Sequence, residues 1–294
     1  MTRLLVDTVE KIFPRVVYKF RQYIYINELP PRYKNKSPAT FVMKDRPAGF
    51  FSIFFQVMGA VDFCRLNHHN LVLDFGAGPY VESSRDKNWW NYYFNVDSFI
   101  FNNDMPGQMH QIESVYDQHC FAEYGKNLPN KIAKSIISES GIVPNDHIGR
   151  IVSSFVDSRF LNNHIVGIHY RGTDKSSEAV RVPYEYVSNM LSKYRDSYFF
   201  VATDEVQFLE FMHERHVGRV LQYDSLRSYN STPVHLCSSD FDKSKIGEDA
   251  LVDCLILSRC HILLRTESNL SRASSFFNPQ LKVVDITKEY IASC

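Results

Sequence analysis

The chain lacks an excess of charge of either sign. Its 33 lysines and arginines balance 33 aspartates and glutamates, so no global field recruits nucleic acid or an anionic membrane, and any anion site has to be local. It also lacks cysteine pairs. The six cysteines, at 64, 120, 237, 254, 260 and 294, form no C-x-x-C and no zinc-like spacing with histidine, and a chain of 294 residues needs no disulfide staples. A reducing compartment is expected. No long apolar run opens the sequence: M-T-R-L-L-V-D-T-V-E-K-I-F-P-R carries a charge every few residues, unlike a secretory h-region or a spanning helix. A cytoplasmic protein without a spanning segment is the expectation. Apolar and basic positions between Val9 and Tyr25 leave peripheral membrane association open, against a plain docking helix or strand, which Pro14 favours. A Gly-rich dinucleotide fingerprint is absent too, which disfavours NAD and FAD.

With 44% hydrophobic residues the chain can bury a large core, as two domains or one big α/β domain. The first half reads as aromatic-rich and irregular. Its clearest unit is an apolar helix over residues 49–66, ended by Asn67 to Asn70 and followed by a strand, L-V-L-D-F, at 71–75. Gly76, Gly78 and Pro79 then make a loop, and W-W-N-Y-Y-F follows at 89–94. The adjacent Trp89 and Trp90 have two readings, a sugar-stacking platform or an aromatic core.

From about residue 146 the order is regular. Asp146 is placed to cap a helix carrying Ile148, Ile151, Val152 and Phe155. Strands are predicted at 165–170, 198–203, 220–223, 261–265 and 282–286, and helices at 184–194, 205–216, 248–259 and after Asn269. Strands alternating with helices predict a parallel sheet with right-handed crossovers, a Rossmann-like domain. The domains are therefore drawn at 1–145 and 146–294.

Three strand ends carry chemistry. The apolar run I-V-G-I-H-Y stops at a cluster of His169, Arg171, Thr173, Asp174 and Lys175; the next strand ends in Thr203, Asp204 and Glu205; a later one ends in R-T-E-S-N, residues 265–269. The C-terminal edge of an open parallel sheet is where ligands bind. A helix start near Ser268 and Asn269 offers free N–H groups to phosphate, and Arg171 offers a planar fork, so the ligand class is a diphosphate. Each part also has a structural reading: Ser268, Asn269 or Asp204 as a helix cap, and Arg171 paired with Asp174 or Glu178.

The segment V-G-I-H-Y-R-G-T-D-K resembles the H-x-R-x-T-D-K peptide of the α-1,6-fucosyltransferases and their bacterial nodulation relatives. The similarity continues in order through Pro183 to Tyr186, A-T-D-E at 202–205, Leu251-Val252-Asp253, Leu257-Ser258 and Ser268 to Arg272, with a fainter echo at the Gly49 turn. The resemblance implies an α/β, GT-B-like fold, two Rossmann-like domains facing across a cleft, and an inverting glycosyltransferase that takes GDP-fucose as donor and a glycan as acceptor, with no cofactor and no metal. It implies that His169 and Asp253 hold guanine, that Ala250 packs on the base, and that Arg171, Ser268 and Asn269, with Asp204 nearby, bind the diphosphate. Lys175 would sit near the β-phosphate and Glu178 near the general base. Arg171, Lys175 and Glu178 form the implied catalytic set, with Gly49, Trp89 and Trp90 on the acceptor side. No D-x-D motif stands at a strand end, although Asp204-Glu205 keeps a metal in play, and Glu267 is a second carboxylate for the base. Gly172 departs from the family, which has a second arginine there, and Asn269 replaces a serine. A different nucleotide sugar, or a non-catalytic nucleotide- or glycan-binding protein on the same fold, are the rival readings.

Overall fold

The computed structural model describes residues 39–76, 78–82, 85, 88–95, 108–172, 180–227 and 243–294. The chain divides into two compact units, Met1–Gly78 with Phe94–Val143, and Pro79–Tyr93 with Pro144–Cys294.

The first unit is regular, contrary to the irregular first half read from the sequence. Strands β1 (Ala39–Lys44), β2 (Asn70–Asp74) and β3 (Gln108–Ile112) form an all-parallel sheet in the order β2-β1-β3. Helix α1 (Phe50–Asn67) links β1 to β2, and α2 (Val115–Lys126) and α3 (Asn130–Glu139) follow β3. Residues 50–64 of α1 are buried except Ser52, as its near-continuous apolar sequence requires. Its one buried acid, Asp62, accepts from Arg65 at 2.9 Å and from the Tyr124 hydroxyl.

Two glycines let α1 and α2 touch main chain to main chain. A Cβ on Gly59 would overlap the Phe121 carbonyl oxygen, and one on Gly125 would overlap that of Phe55. Backbone cannot rotate away as a side chain can. Gly59→Ala is therefore expected to cost roughly 1–3 kcal/mol of stability, read as a lowered denaturant midpoint.

The second unit carries β4 (Ile165–Tyr170), β5 (Tyr198–Thr203), β6 (Val220–Leu221), β7 (Ile262–Arg265) and β8 (Lys282–Asp285) in the all-parallel order β6-β5-β4-β7-β8. Its helices are α4 (Asp146–Arg159), α5 (Tyr184–Met190), α6 (Val206–Arg215), α7 (Lys243–Ser258), α8 (Asn269–Phe277) and α9 (Ile286–Ser293). All six residues of β4 are buried, which is why a central strand reads as an unbroken apolar run. Asn145, not Asp146, caps α4: its side chain accepts from the Ile148 N–H at 3.1 Å. Helix α7 starts five residues before the predicted 248, and the strand predicted at 220–223 pairs only over Val220–Leu221.

Residues 79–93 belong to this unit although they lie in the N-terminal half of the sequence. The Tyr93 hydroxyl donates to the Ser244 carbonyl at 2.8 Å, Arg85 Nη1 donates to Ser244 Oγ at 3.0 Å, and Asn145 Nδ2 donates to the Tyr92 carbonyl at 2.9 Å. These bonds tie the segment to the first turn of α7 and the start of α4.

Candidate functional site

Counting β4 as first, the strand order of the second unit is 3-2-1-4-5, and the order reverses between β4 and β7. That reversal is the topological switch point of a doubly wound sheet, where the connections leave to opposite sides and open a crevice at the strand C-termini. His169 of β4 stands in register with Arg265 of β7 at this place.

The two strand ends are laced together. The Thr266 N–H donates to the His169 carbonyl at 2.9 Å, and the Arg171 N–H donates back to Thr266 Oγ1 at 2.9 Å. From the other side, Asp204 Oδ1 accepts from the Gly172 N–H at 3.1 Å. Two successive main-chain N–H groups after β4 are thus held by side chains from β7 and β5, and the turn that carries Arg171 is fixed. Asp204 does not cap α6, one of the readings open in the sequence; its carboxylate is spent on this turn.

Ser268 caps α8, accepting from the Ser271 N–H at 3.2 Å, and its Oγ lies 3.4 Å from Nδ1 of the buried His169. One hydroxyl therefore fixes both the helix start and the ring nitrogen, while the first N–H groups of α8 face the crevice end of the fold. Asn269 is the first helical residue and is half-buried. Arg265 is half-buried, and burial lowers its pKa against the opposing pull of Asp285 and Glu267. Glu267 is exposed.

Helix α7 supplies the acid. A Cβ on Gly167, mid-β4, would meet Leu257 and Cys260. One helical turn before Leu257 is Asp253, and two residues beyond Gly167 is His169; a turn rises about 5.4 Å and two strand residues about 6.6 Å, so Asp253 is level with His169. The adjacent Cys254 donates through its thiol to the Leu270 carbonyl in the first turn of α8, at 3.6 Å. Asp253 is 6% exposed; its Oδ2 accepts from Ser225 Oγ at 2.9 Å, and its buried Oδ1 has no hydrogen-bond partner among the described residues. Burial pushes its pKa up to about 7, against the pull of the Arg227 charge and the Ser225 bond. Ala250, three positions earlier on the same helix, is half-buried. One turn before Asp253, Asp249 accepts from the Leu226 N–H at 2.9 Å, so two carboxylates of α7 pin the segment after β6.

Of the sequence-predicted residues, the structure brings His169, Arg171, Asp204, Ser268, Asn269 and Asp253 to this one region. Lys175, Glu178, Thr173 and Asp174 lie outside the described residues. Trp89 and Trp90 take the aromatic-core reading. They are 0% and 1% exposed, packed with Tyr80 and Tyr93, so neither presents a face for a sugar to stack on, and they sit in the second unit and not on an acceptor side of the first. Gly49 precedes α1 in the first unit, with open space around it and an ordinary extended backbone. Nearby, Arg46 donates through Nε to Gln56 Oε1 at 3.0 Å and through Nη2 to Ser52 Oγ at 2.7 Å. Ser225, Arg181 and the role of Thr266 escaped sequence reasoning, as did the pairing of Glu205 with Arg181; Thr266, inside R-T-E-S-N, and Glu205, inside A-T-D-E, had a local signal. Among the described residues no group of three or more His, Cys, Asp or Glu side chains is arranged to hold a metal ion, and no helix is long and apolar enough to cross a membrane.

The fold and the switch-point cluster define an α/β protein with two parallel-sheet units and a polar crevice edge in the second. Comparison with solved structures gives the fold a name. NodZ α-1,6-fucosyltransferase soaked with GDP-fucose superposes with a TM-score of 0.58 at 13% identity, over 85% of this chain and 95% of that one. Fucosyltransferase NodZ from Bradyrhizobium gives 0.57 at 14%, over 86% and 97%, and NodZ co-crystallised with GDP gives 0.56 at 14%, over 85% and 95%. The chain has the GT-B-like fold of these fucosyltransferases. No protein-family model and no curated protein sequence matches it.

Proposed function

We propose that the chain transfers fucose from GDP-fucose to a hydroxyl of a glycan, inverting the anomeric centre by direct displacement and without a divalent metal. The observation that carries this reading is the buried Asp253 carboxylate on α7, whose Oδ1 has no hydrogen-bond donor among the described residues, in the unit whose switch point carries His169, Arg171 and the Ser268 helix start. Guanine presents two adjacent N–H donors, which a carboxylate accepts and which uracil cannot match. In this reading Asp253 and His169 hold the base and Ala250 packs on it. Arg171 and the α8 start at Ser268 and Asn269 hold the diphosphate, in a turn braced by Asp204.

Breaking the bond between the sugar C1 and the β-phosphate oxygen leaves negative charge on GDP, while the acceptor oxygen forms its bond to C1 and releases a proton. Fixed cations and N–H groups at the diphosphate favour that charge distribution over the ground state. Arg171 serves there, and Lys175 is assigned beside it. Glu178 is assigned to receive the acceptor proton. A cytosolic location, with peripheral membrane contact at most, belongs to the same reading.

The test is nucleotide release from a panel of sugar donors, with and without EDTA. GDP release from GDP-fucose that persists in EDTA is the expected result. Release from a different nucleotide sugar would overturn the fucose assignment, and tight GDP binding without turnover on any glycan acceptor would favour a binding protein. Loss of turnover in EDTA with rescue by manganese would overturn the metal-free step and direct attention to Asp204 and Glu205 as ligands.

A further inference from the structure

Glu205 closes the A-T-D-E segment at the end of β5, yet its carboxylate is only 2% exposed. It lies against Gly172: a Cβ at position 172 would overlap the carboxylate carbon and both its oxygens. The carboxylate therefore occupies space that only glycine leaves open. It is then compensated from outside. Arg181 Nη2 reaches its two oxygens at 3.2 and 3.3 Å, and the Tyr184 hydroxyl donates to Oε2 at 2.7 Å while accepting from the same Arg181 nitrogen at 3.2 Å.

The pair is lopsided. The Glu205 side chain is 2% exposed and the Arg181 side chain 51%. Full burial of both partners would cost desolvation of two charges and close the cation off from any ligand; here one partner is buried while half of the other faces solvent. Arg181 commits one nitrogen to Glu205, and its guanidinium has further N–H groups in the same plane. Only the width of a carboxylate separates it from Gly172, the neighbour of Arg171, at the C-terminal edge of β4 and β5.

We propose that Arg181 is a further diphosphate-binding residue of the donor site and that Glu205, in the space left by Gly172, is its positioning residue. Arg181 binds the phosphate oxygens through the N–H groups that Glu205, Tyr184 and Tyr170 leave unused, so the anion is held by Arg171 and by Arg181, the residues flanking Gly172 and its Glu205 neighbour. Glu205 thereby serves neither as general base nor as metal ligand; its charge is spent on orienting a cation. This rests on the donor-site reading above.

Truncating Arg181 alone would leave a buried carboxylate without its cation, so the variant to use is the double substitution Arg181→Ala with Glu205→Gln. It removes both charges and keeps a carbonyl oxygen for the Tyr184 hydroxyl. Calorimetric titration of GDP and of guanosine, in wild type and variant, gives the answer. GDP affinity is expected to fall about tenfold or more with guanosine affinity unchanged, as for lost charge-assisted bonds to phosphate. An unchanged GDP affinity, or equal losses for GDP and guanosine, would show a pair that serves only the fold and would overturn the proposal. Failure of the wild type to bind GDP at all overturns the donor-site reading itself, and that outcome is visible before any variant is made.

Discussion

Replacing Arg171 by alanine should weaken GDP binding by about 2–3 kcal/mol, roughly 30- to 150-fold, with the fold intact. The magnitude is that of charge-assisted hydrogen bonds to phosphate, which a guanidinium makes in pairs. The intact fold follows from how the turn is built. Its position depends on main-chain N–H groups, that of Arg171 on Thr266 Oγ1 and that of Gly172 on Asp204 Oδ1, and neither bond needs the arginine side chain. Calorimetry with GDP, paired with a thermal melt, measures both halves. GDP affinity that survives in a folded variant would sink the donor site.

Asp253→Asn is expected to have the larger effect on selectivity and the opposite effect on stability. The amide keeps one acceptor for Ser225 but offers a donor where guanine also donates, so preference for GDP over UDP and ADP should collapse by several kcal/mol. In the empty protein the carboxyl is raised to about 7 by burial, far above its unfolded value. A raised acid contributes stability that is fully present below the unfolded pKa and is lost as pH rises through the folded one. Ionised Asp253 therefore burdens the unliganded fold above about pH 7, on the order of a few kcal/mol, and asparagine removes that burden. The variant should be more stable than wild type at pH 8 and nearly equal to it at pH 4. Conversely, wild-type GDP affinity should rise between pH 6 and pH 8 as the carboxylate forms, and the variant should show no such rise. A pH-independent GDP affinity in wild type would mean that Asp253 does not meet the base.

Much of the second unit is legible in the residues because its central strands are buried on both faces. I-V-G-I-H-Y and Y-F-F-V-A-T leave little choice of structure, and both bounds agree with the strands found. Helix α7 is misjudged at its start because K-S-K-I-G-E reads as loop; Ser244 and Gly247 are buried there and the first turn is bonded by Arg85 and Tyr93, which its propensity does not reveal. The first unit hides for a similar reason. β3 is Q-M-H-Q-I, an edge strand with polar residues on it, and α2 buries Asp117 and Gln118 among its apolar side chains, so neither shows a clean period. In the site, residue types announce Arg171, Asp253 and Ser268, each at a strand end or on a helix facing one. The bond from Ser225 to Asp253 and the seat of Glu205 on Gly172 join residues far apart in the chain, and the second depends on an atom that is missing. Composition and spacing carry no trace of such contacts.

The path of the chain between the two units has a consequence for engineering. It leaves the first unit after Gly78, returns at Phe94, and leaves again after Val143. The second unit is therefore made of two separate stretches of sequence, and the shorter one contributes Trp89, Trp90 and Tyr93 to its interior. A chimera joined at a single point near residue 144 would inherit the sheet and the strand-end residues without the aromatic segment that seats the start of α7, the helix that carries Asp253. Exchanging the second unit between proteins of this build requires two grafts, made together.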